Sequence, residues 1–158
     1  MLLWIDRDMS CAYTDLDHPA DLFLEIHGRV VNELLENALY ALYRQITDVK
    51  TVQPDNELVL KVTGPSVETT LRALLAEALF RFEVDGFVAA GARVDVQTGP
   101  MTPRAETPHL LAEAHLWGET VDPLRHPLFA EVKAVTYHQL TAAHTPDQGW
   151  VATVLLDV

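Results

Sequence analysis

The sequence predicts an α+β domain in which two helices pack on a mostly antiparallel β-sheet. Two stretches place apolar residues at three- and four-residue steps, which is typical of helices with one buried face. Several shorter stretches alternate apolar and polar residues, which is typical of strands. Polar turns separate these stretches, and the two helices are expected to cover one face of the sheet.

The two helices differ in how clearly their ends are marked. The first has a weak start, because Val30 stands where a capping serine or threonine is expected. The second has Ser66 as its predicted N-cap and ends at Asp85-Gly86. Their predicted buried faces are Val31, Leu34, Leu35, Ala38, Leu42 and Ile46 for the first, and Val67, Leu71, Leu74, Leu75, Ala78, Leu79 and Phe82 for the second.

The strands are predicted from alternation and from the turns between them. A long turn with prolines over 99–108 is expected to join two paired strands. A last pair is expected to enclose the polar loop 144–149. The predicted strands cover 12–16, 22–27, 58–63, 92–98, 110–117, 129–140 and 150–156.

The length of 158 residues is most simply explained by one domain over 1–158, in which residues 1–11 are expected to be flexible. The single Cys11 excludes an internal disulfide and a cysteine-based metal cluster. Apolar runs fall short of the ~18 residues that a membrane span needs. The first residues carry acids where a signal peptide has its apolar core, so a cytoplasmic protein without membrane contact is expected.

The charge balance bears on the class of partner. Aspartate and glutamate number 23 against 11 lysines and arginines, a formal net charge of −12. Direct binding to nucleic acid is not expected, because such binding relies on basic side chains that neutralise phosphates. A basic protein partner or a bound cation fits the sign better, although solubility alone would also explain the charge.

Two groups of carboxylates are candidate ligands for a metal ion. The first is the polar loop Asp17-His18-Pro19-Ala20-Asp21, in which Asp21 or His18 could donate a ligand. The second is Asp157 beside the carboxylate of Val158, directly after a predicted strand. Together they would suit Mg²⁺, Mn²⁺ or Ca²⁺, provided that the first and last strands lie side by side. A plain turn and a solvated terminal aspartate remain the alternatives.

Ionisable residues also mark the predicted strand over 129–140. Strict alternation would place Glu131, Lys133, Val135 and Tyr137 on one face of that strand. A simple surface ion pair between Glu131 and Lys133 is the alternative to a functional role. The remaining histidines lack zinc-site spacing and are expected to be surface or hydrogen-bonded residues: His27, His109, His115, His126 and His144.

Motifs of catalysis are not evident. The sequence contains neither a phosphate-binding glycine loop nor a nucleophile elbow, and Cys11 has no plausible histidine partner. A binding or accessory role is therefore a better expectation than catalysis.

The most specific motif of the chain is the string from His126-Pro127 to Tyr137-His138, followed by a chain that ends on Asp157-Val158. With this motif the chain resembles the archease family, from about Tyr13 to Val158. Further matches are Asp17-His-Pro-Ala-Asp21, Glu33-Leu-Leu-Glu-Asn-Ala-Leu39, Leu71-Arg-Ala-Leu-Leu and Gly149-Trp150.

This resemblance implies a small cytosolic protein that assists the GTP-dependent RNA ligase of RtcB type in tRNA splicing and RNA repair. Members promote guanylate transfer onto the ligase and allow many turnovers, and they do not join RNA themselves. The resemblance also implies a divalent metal ion held by Asp21, Asp157 and the Val158 carboxylate. Ca²⁺ is the expected ion, and Mg²⁺ and Mn²⁺ are the alternatives. Lys133, with His18 and Glu131, is expected to face the partner or its phosphates.

The sequence departs from the family pattern at four places. Pro19 stands where threonine is usual, Phe129 where a charged residue is common, and Val84 within a usually acidic run. The turn over 99–108 is longer than usual. The positions that match the metal site are unaffected, so these changes bear on docking to the partner.

Two other function classes remain open at this point. A stand-alone metal-dependent enzyme acting on a phosphorylated small molecule would need a pocket beside Asp21 and Asp157 with a base such as His18. A chaperone-like interaction module would need an exposed apolar patch.

Overall fold

The computed structural model describes residues 2–99 and 109–158. Within them the chain forms two α-helices and eight β-strands, which confirms the predicted α+β class. Apart from Gly99, the turn predicted over 99–108 lies outside the described residues. The elements in chain order are β1 (Tyr13–Leu16), β2 (Leu22–Gly28), α1 (Val31–Ile46), β3 (Asn56–Gly64), α2 (Val67–Asp85), β4 (Phe87–Gly99), β5 (His109–Thr120), β6 (Ala134–Val135), β7 (Thr141–Thr145) and β8 (Gly149–Asp157).

The strands divide between two sheets, where the sequence pattern indicated one. A five-stranded sheet has the order β1-β2-β8-β6, and β7 also pairs with β8. A three-stranded sheet has the order β3-β5-β4. Every pairing in both sheets is antiparallel, as predicted. Alternation identifies strands but carries no information on which strands pair, so the division could not be deduced from it.

Helix α1 lies between the two sheets, and its polar side chains bind both. Asn37 Nδ2 donates to the carbonyl of His27 in β2 at 2.6 Å. Glu36 Oε1 accepts from the Val94 amide in β4 at 3.0 Å. Because Glu36 is buried, desolvation raises its pKa. One continuous core therefore joins α1 to both sheets.

The predicted helix ends agree with the structure. The Ser66 hydroxyl accepts from the Thr69 amide, and the Thr69 hydroxyl accepts from the Ser66 amide, so α2 begins with a capping box. It ends at Gly86, whose φ of 70° favours glycine. Val30 offers α1 no side-chain cap, and Glu33 instead reaches back to the Arg29 amide at 3.4 Å.

The strand predicted over 129–140 is wrong over most of its length. Only Ala134–Val135 pair as a strand, and the predicted common face fails because Val135 is 3% exposed and Tyr137 is 66% exposed. Val132 and Val135 are both buried, a spacing of three that alternation does not allow. The partner of β8 in the last hairpin is instead β7, a largely exposed strand that was not predicted.

The first residues pack onto this framework. Trp4 is 2% exposed, and its ring meets that of Tyr40 edge-on with the centroids 5.4 Å apart. Leu3 forms an isolated bridge with Gly91 of β4. The flexibility predicted for 1–11 and the domain limits 1–158 stay predictions. No helix within residues 2–99 and 109–158 combines the length and hydropathy needed to cross a membrane.

A buried ionic cluster fixes the segment that follows β5. His126 is fully buried, and its Nδ1 accepts from the Asp122 amide at 2.8 Å. Its Nε2 therefore carries the proton and donates to Glu119 Oε2 at 3.1 Å. Glu119 also accepts from the Arg125 guanidinium and from the Gln53 amide. The Arg125 hydrogen bond, with those from Gln53 and His126, lowers the pKa of Glu119 to about 2.

Glu119→Gln is expected to lower the free energy of unfolding near neutral pH by on the order of 2 kcal/mol, because charge-assisted bonds in a buried site are weakened. The pKa of Glu119 is lower in the folded protein than in the unfolded chain. The ionised Glu119 therefore stabilises the folded protein fully above roughly pH 4.3, and this stabilisation is lost as the pH falls toward 2. Urea unfolding of both proteins from pH 7 downward measures this.

The matched control is Glu83→Gln, which removes an exposed carboxylate of α2. Its unfolding free energy should stay close to that of the parent protein at every pH. If Glu119→Gln lowered the free energy of unfolding by as much at pH 3 as at pH 7, the stabilising role of the ionised Glu119 would be contradicted.

Candidate cation site at one end of the five-stranded sheet

The register of β2 and β8 brings the two predicted aspartates together. The last pair of this ladder is Leu22 with Leu156. Asp21 precedes Leu22 and Asp157 follows Leu156, so the register brings both aspartates to the same end of the sheet. The last strand lies beside the second strand, β2, and not beside the first as the predicted site required, but Asp21 is the last residue of the loop between β1 and β2.

His18 lies next to Asp21 in the loop between β1 and β2. Its Nδ1 is 3.9 Å from Asp21 Oδ2. The imidazole meets the Phe23 ring edge-on, with the centroids 6.0 Å apart. Both side chains are about three-quarters buried, at 25% exposure for His18 and 23% for Asp21. The loop thus shields Asp21 partly from solvent.

Lys133 lies beside Asp157 on the other side of β8. Its amide donates to the Asp157 carbonyl at 2.7 Å, and Ala134 pairs with Asp157 in β6. Neither the Lys133 ammonium nor Glu131 forms an ion pair with any residue that the structure describes. The alternative of a Glu131–Lys133 surface pair is therefore not observed, and both side chains are exposed.

The available donors suit a hard cation. Asp21, Asp157 and the carboxylate of Val158 supply only oxygen, the donor that Ca²⁺, Mg²⁺ and Mn²⁺ prefer. Within residues 2–99 and 109–158, three or more His, Cys, Asp or Glu side chains do not gather into a metal-holding cluster. Two aspartates and a main-chain carboxylate would leave coordination positions for water or for a partner's ligands.

Arg72 of α2 fixes the segment that carries Lys133, and sequence reasoning missed it. Its Nε donates to the Val135 carbonyl at 3.0 Å, and its Nη1 donates to the Tyr137 hydroxyl at 2.9 Å. The guanidinium carbon also lies 4.0 Å from the centroid of the Tyr137 ring. Arg72 stands in the matched motif 71–75, but no local pattern shows a contact with residues 63 to 65 positions away.

Most of the other histidines have partners, as predicted. His27 Nε2 lies 3.2 Å from Glu25 Oε1, and the centroids of the His144 and Trp150 rings are 5.3 Å apart. His115 lies between Glu57 and Glu113 at 2.6 and 3.0 Å, and the hydrogen bond with Glu57 raises its pKa.

Comparison with known proteins assigns the family. The sequence model of the Archease protein family (MTH1598/TM1083) matches residues 13–158. The chain belongs to the archease family. The match includes Asp21, Lys133, Asp157 and Val158, so all residues of the candidate site lie within the shared sequence.

Curated archeases from archaea are similar along nearly their whole length. The protein archease of Methanosarcina barkeri is 36% identical over 146 residues, which cover 92% of this chain and 95% of the relative. That of Methanopyrus kandleri is 32% identical over 146 residues, covering 92% of this chain and 99% of the relative. That of Pyrococcus furiosus is 28% identical over 142 residues, which cover 90% of this chain and 95% of the relative.

A solved structure has the same fold. The solution structure of Methanobacterium thermoautotrophicum protein 1598 matches with a TM-score of 0.73 over 93% of this chain and 99% of that one. The sequences of the two are 23% identical, so this likeness bears on the fold alone.

Arg72→Ala is expected to loosen the segment around β6. The Thr136 amide donates to the Leu155 carbonyl and the Lys133 amide to the Asp157 carbonyl, and both should exchange with solvent roughly tenfold faster. Hydrogen exchange followed by NMR measures this residue by residue. Arg72→Lys should restore only part of the protection from exchange, because lysine lacks the planar guanidinium that donates from two nitrogens at once.

The control is Arg81→Ala, on the same helix, which removes exposed ion pairs with Glu77 and Asp85. Equal exchange at Lys133 and Thr136 in the Arg72 and Arg81 variants would show that Arg72 does not hold the segment.

Proposed function

We propose that this protein is an activator of a GTP-dependent RNA ligase of RtcB type, which promotes guanylylation and repeated turnover of the ligase in tRNA splicing and RNA repair. The observation that supports the proposal is the pairing of Leu22 with Leu156, which brings Asp21 and Asp157 to the same end of the sheet. Family membership connects this arrangement with the ligase, through the motifs that the chain shares with archeases.

A divalent cation at this end would resolve an electrostatic conflict. Two carboxylates at the same end of the sheet repel each other. Neither Asp21 nor Asp157 forms an ion pair with a lysine or arginine in the described part of the chain. A bound cation would neutralise both and would carry positive charge to phosphate groups of the partner's nucleotide.

Lys133 is the side chain that we assign to the phosphates. Its backbone is held against Asp157 by the amide hydrogen bond, while its ammonium remains exposed and without a carboxylate partner. An ammonium so placed can contact a phosphate without first breaking an internal ion pair. His18 and Glu131 border the same end of the sheet and would contact the surrounding surface of the ligase.

The neighbouring loop offers an apolar docking contact. Leu128 is 53% and Phe129 is 62% exposed. Their backbone is nonetheless fixed, because the Phe129 and Ala130 amides donate to the Ile46 and Gln45 carbonyls at 2.9 and 3.1 Å. An apolar contact on a rigid loop, within a strongly acidic surface, suits a partner whose active-site entrance is basic.

The stand-alone enzyme is the weaker alternative. It needs a pocket beside Asp21 and Asp157, with His18 as the base. A cleft of about 500 Å³ in the described part of the chain is lined by residues within 4–15 and 40–50, and Asp21, Asp157 and His18 are not among them. The chaperone-like module rests on exposed apolar residues such as Leu128 and Phe129, which a single dedicated partner explains equally well.

Asp21→Asn and Asp157→Asn are each expected to weaken cation binding at least roughly tenfold, because each removes one of few charged oxygens. Calorimetric titration with calcium, magnesium and manganese chlorides measures the affinity and identifies the preferred ion. Lengthening the chain by one glycine after Val158 tests the third predicted ligand, since its carboxylate then becomes a peptide carbonyl.

The control for charge is Asp147→Asn in the turn before β8, which removes an exposed carboxylate elsewhere. It should bind cations like the parent protein. Equal affinities for all variants would contradict a site at Asp21 and Asp157.

The same variants test the proposed activity. With purified ligase, GTP and a broken tRNA, the parent protein should raise both the yield of guanylylated ligase and the number of turnovers. Asp21→Asn, Asp157→Asn and Lys133→Gln should each lose most of this stimulation while keeping the parent thermal unfolding profile. Asp147→Asn should keep it, and full stimulation by all four variants would refute the proposal.

A further inference from the structure

A cleft of about 500 Å³ opens between the first residues, β1 and the C-terminal half of α1. Its volume lies within the range of roughly 300–1,000 Å³ that is usual for small-molecule sites. Its wall shares no residue with the candidate cation site, so what binds here is independent of the function proposed above.

The cleft gathers positive charge in a strongly acidic protein. Arg7, Arg44 and Lys50 line it, and they are three of only 11 basic residues in the chain. Arg7 lies 3.9 Å from Glu36. Arg44 and Lys50 form no ion pair with any carboxylate of residues 2–99 and 109–158, although acids outnumber bases twofold.

The acidic residues on the wall offset part of this charge. Asp8 and Asp15 line the cleft too, so the lining carries three cations against two carboxylates. Asp8 Oδ1 is engaged by the Ser10 amide at 3.0 Å, and hydrogen bonds from Ser10 lower its pKa. Glu36 balances Arg7, so Arg44 and Lys50 are the cations of the wall that no carboxylate of the described residues pairs with.

Two donors on the wall lack acceptors. Trp4 is 2% exposed, and its Nε1 finds no hydrogen-bond partner among the described residues. The same holds for the buried Nε of Arg44. Buried donors without a partner are uncommon in native proteins and call for an explanation.

Aromatic rings form the other part of the wall. Tyr13 and Tyr40 meet edge-on with the centroids 5.9 Å apart, and Tyr40 meets Trp4 in the same way. The Arg44 guanidinium carbon lies 5.9 Å from the Tyr40 centroid. Both tyrosines are only partly buried, so their rings remain available to a flat ligand.

We infer that this cleft binds a small organic phosphate with a planar ring, that is, a mononucleotide. Its phosphate would lie against Arg44, Lys50 and Arg7, where charge-assisted hydrogen bonds are strongest. Its base would pack on Tyr13 and Tyr40, a contact that tolerates any base because every base has an aromatic face. A single nucleotide in a cleft is compatible with the expectation that the chain does not bind long nucleic acids.

Calorimetric titration of the full chain with AMP, ribose 5-phosphate, adenosine and inorganic phosphate tests the inference. AMP should bind with a dissociation constant below about 1 mM. Ribose 5-phosphate should bind roughly tenfold more weakly than AMP, because it lacks the planar aromatic base. Adenosine and inorganic phosphate should each bind more weakly than AMP. Equal affinities for AMP and inorganic phosphate would overturn the inference, as would no binding of AMP at about 10 mM.

Variants locate the site. Lys50→Gln should raise the dissociation constant for AMP roughly threefold to fivefold, and Arg44→Gln roughly tenfold. Lys61→Gln is the matched control, because it removes an exposed lysine of β3 that does not line the cleft. In NMR spectra, AMP should shift the Trp4 indole and Lys50 amide signals. Shifts confined to the Lys133 region, or equal losses in the Lys50 and Lys61 variants, would overturn the assignment to this cleft.

Discussion

The pairing of β8 with β2 is the constraint on which the candidate site depends. The side chains of Leu156, Val154 and Ala152 in β8 are fully buried in the core. They lie beside Leu24 and Ile26 of β2. A slip of one residue would turn these side chains toward solvent, so burial of apolar surface fixes the register. The register then brings Asp157 and Asp21 to the same end of the sheet. Packing of the core, and not attraction between the two carboxylates, fixes the strand ends beside them.

The parts of the fold that sequence predicts well are those specified by local chemistry. Ser66 and Gly86 mark the ends of α2 because capping and a left-handed residue are short-range requirements. The stripe that starts at Val31 identifies α1 because helical periodicity is a local property. The strand 150–156 is likewise confirmed within β8. Adjacency of Asp21 and Asp157 was a condition of the predicted site rather than a deduction, since register between distant strands has no local signature.

The parts that sequence misses depend on contacts between distant segments. Val132 and Val135 are buried by packing of an irregular segment, so alternation misassigned the stretch around them. Strand β7 is exposed over most of its length and shows no apolar pattern, yet its hydrogen bonds to β8 define it. Arg72 acts through a carbonyl and a ring more than 60 residues away. Motif matching pointed to the stretch that contains Arg72 without indicating what the side chain does.

The distribution of unpaired cations is more informative than the net charge. Among described residues, five arginines form ion pairs with carboxylates: Arg7, Arg29, Arg81, Arg93 and Arg125. Arg72 is engaged by the Val135 carbonyl and Tyr137. In a chain with 23 acids and 11 bases, a cation without a carboxylate does not result from a shortage of acids. Lys133 stands unpaired beside the candidate cation site, and Arg44 and Lys50 stand unpaired at the cleft. Within the part of the chain that the structure describes, Lys61 of β3 is also unpaired, so the absence of a carboxylate partner supports the two proposals only together with the surroundings of Lys133, Arg44 and Lys50.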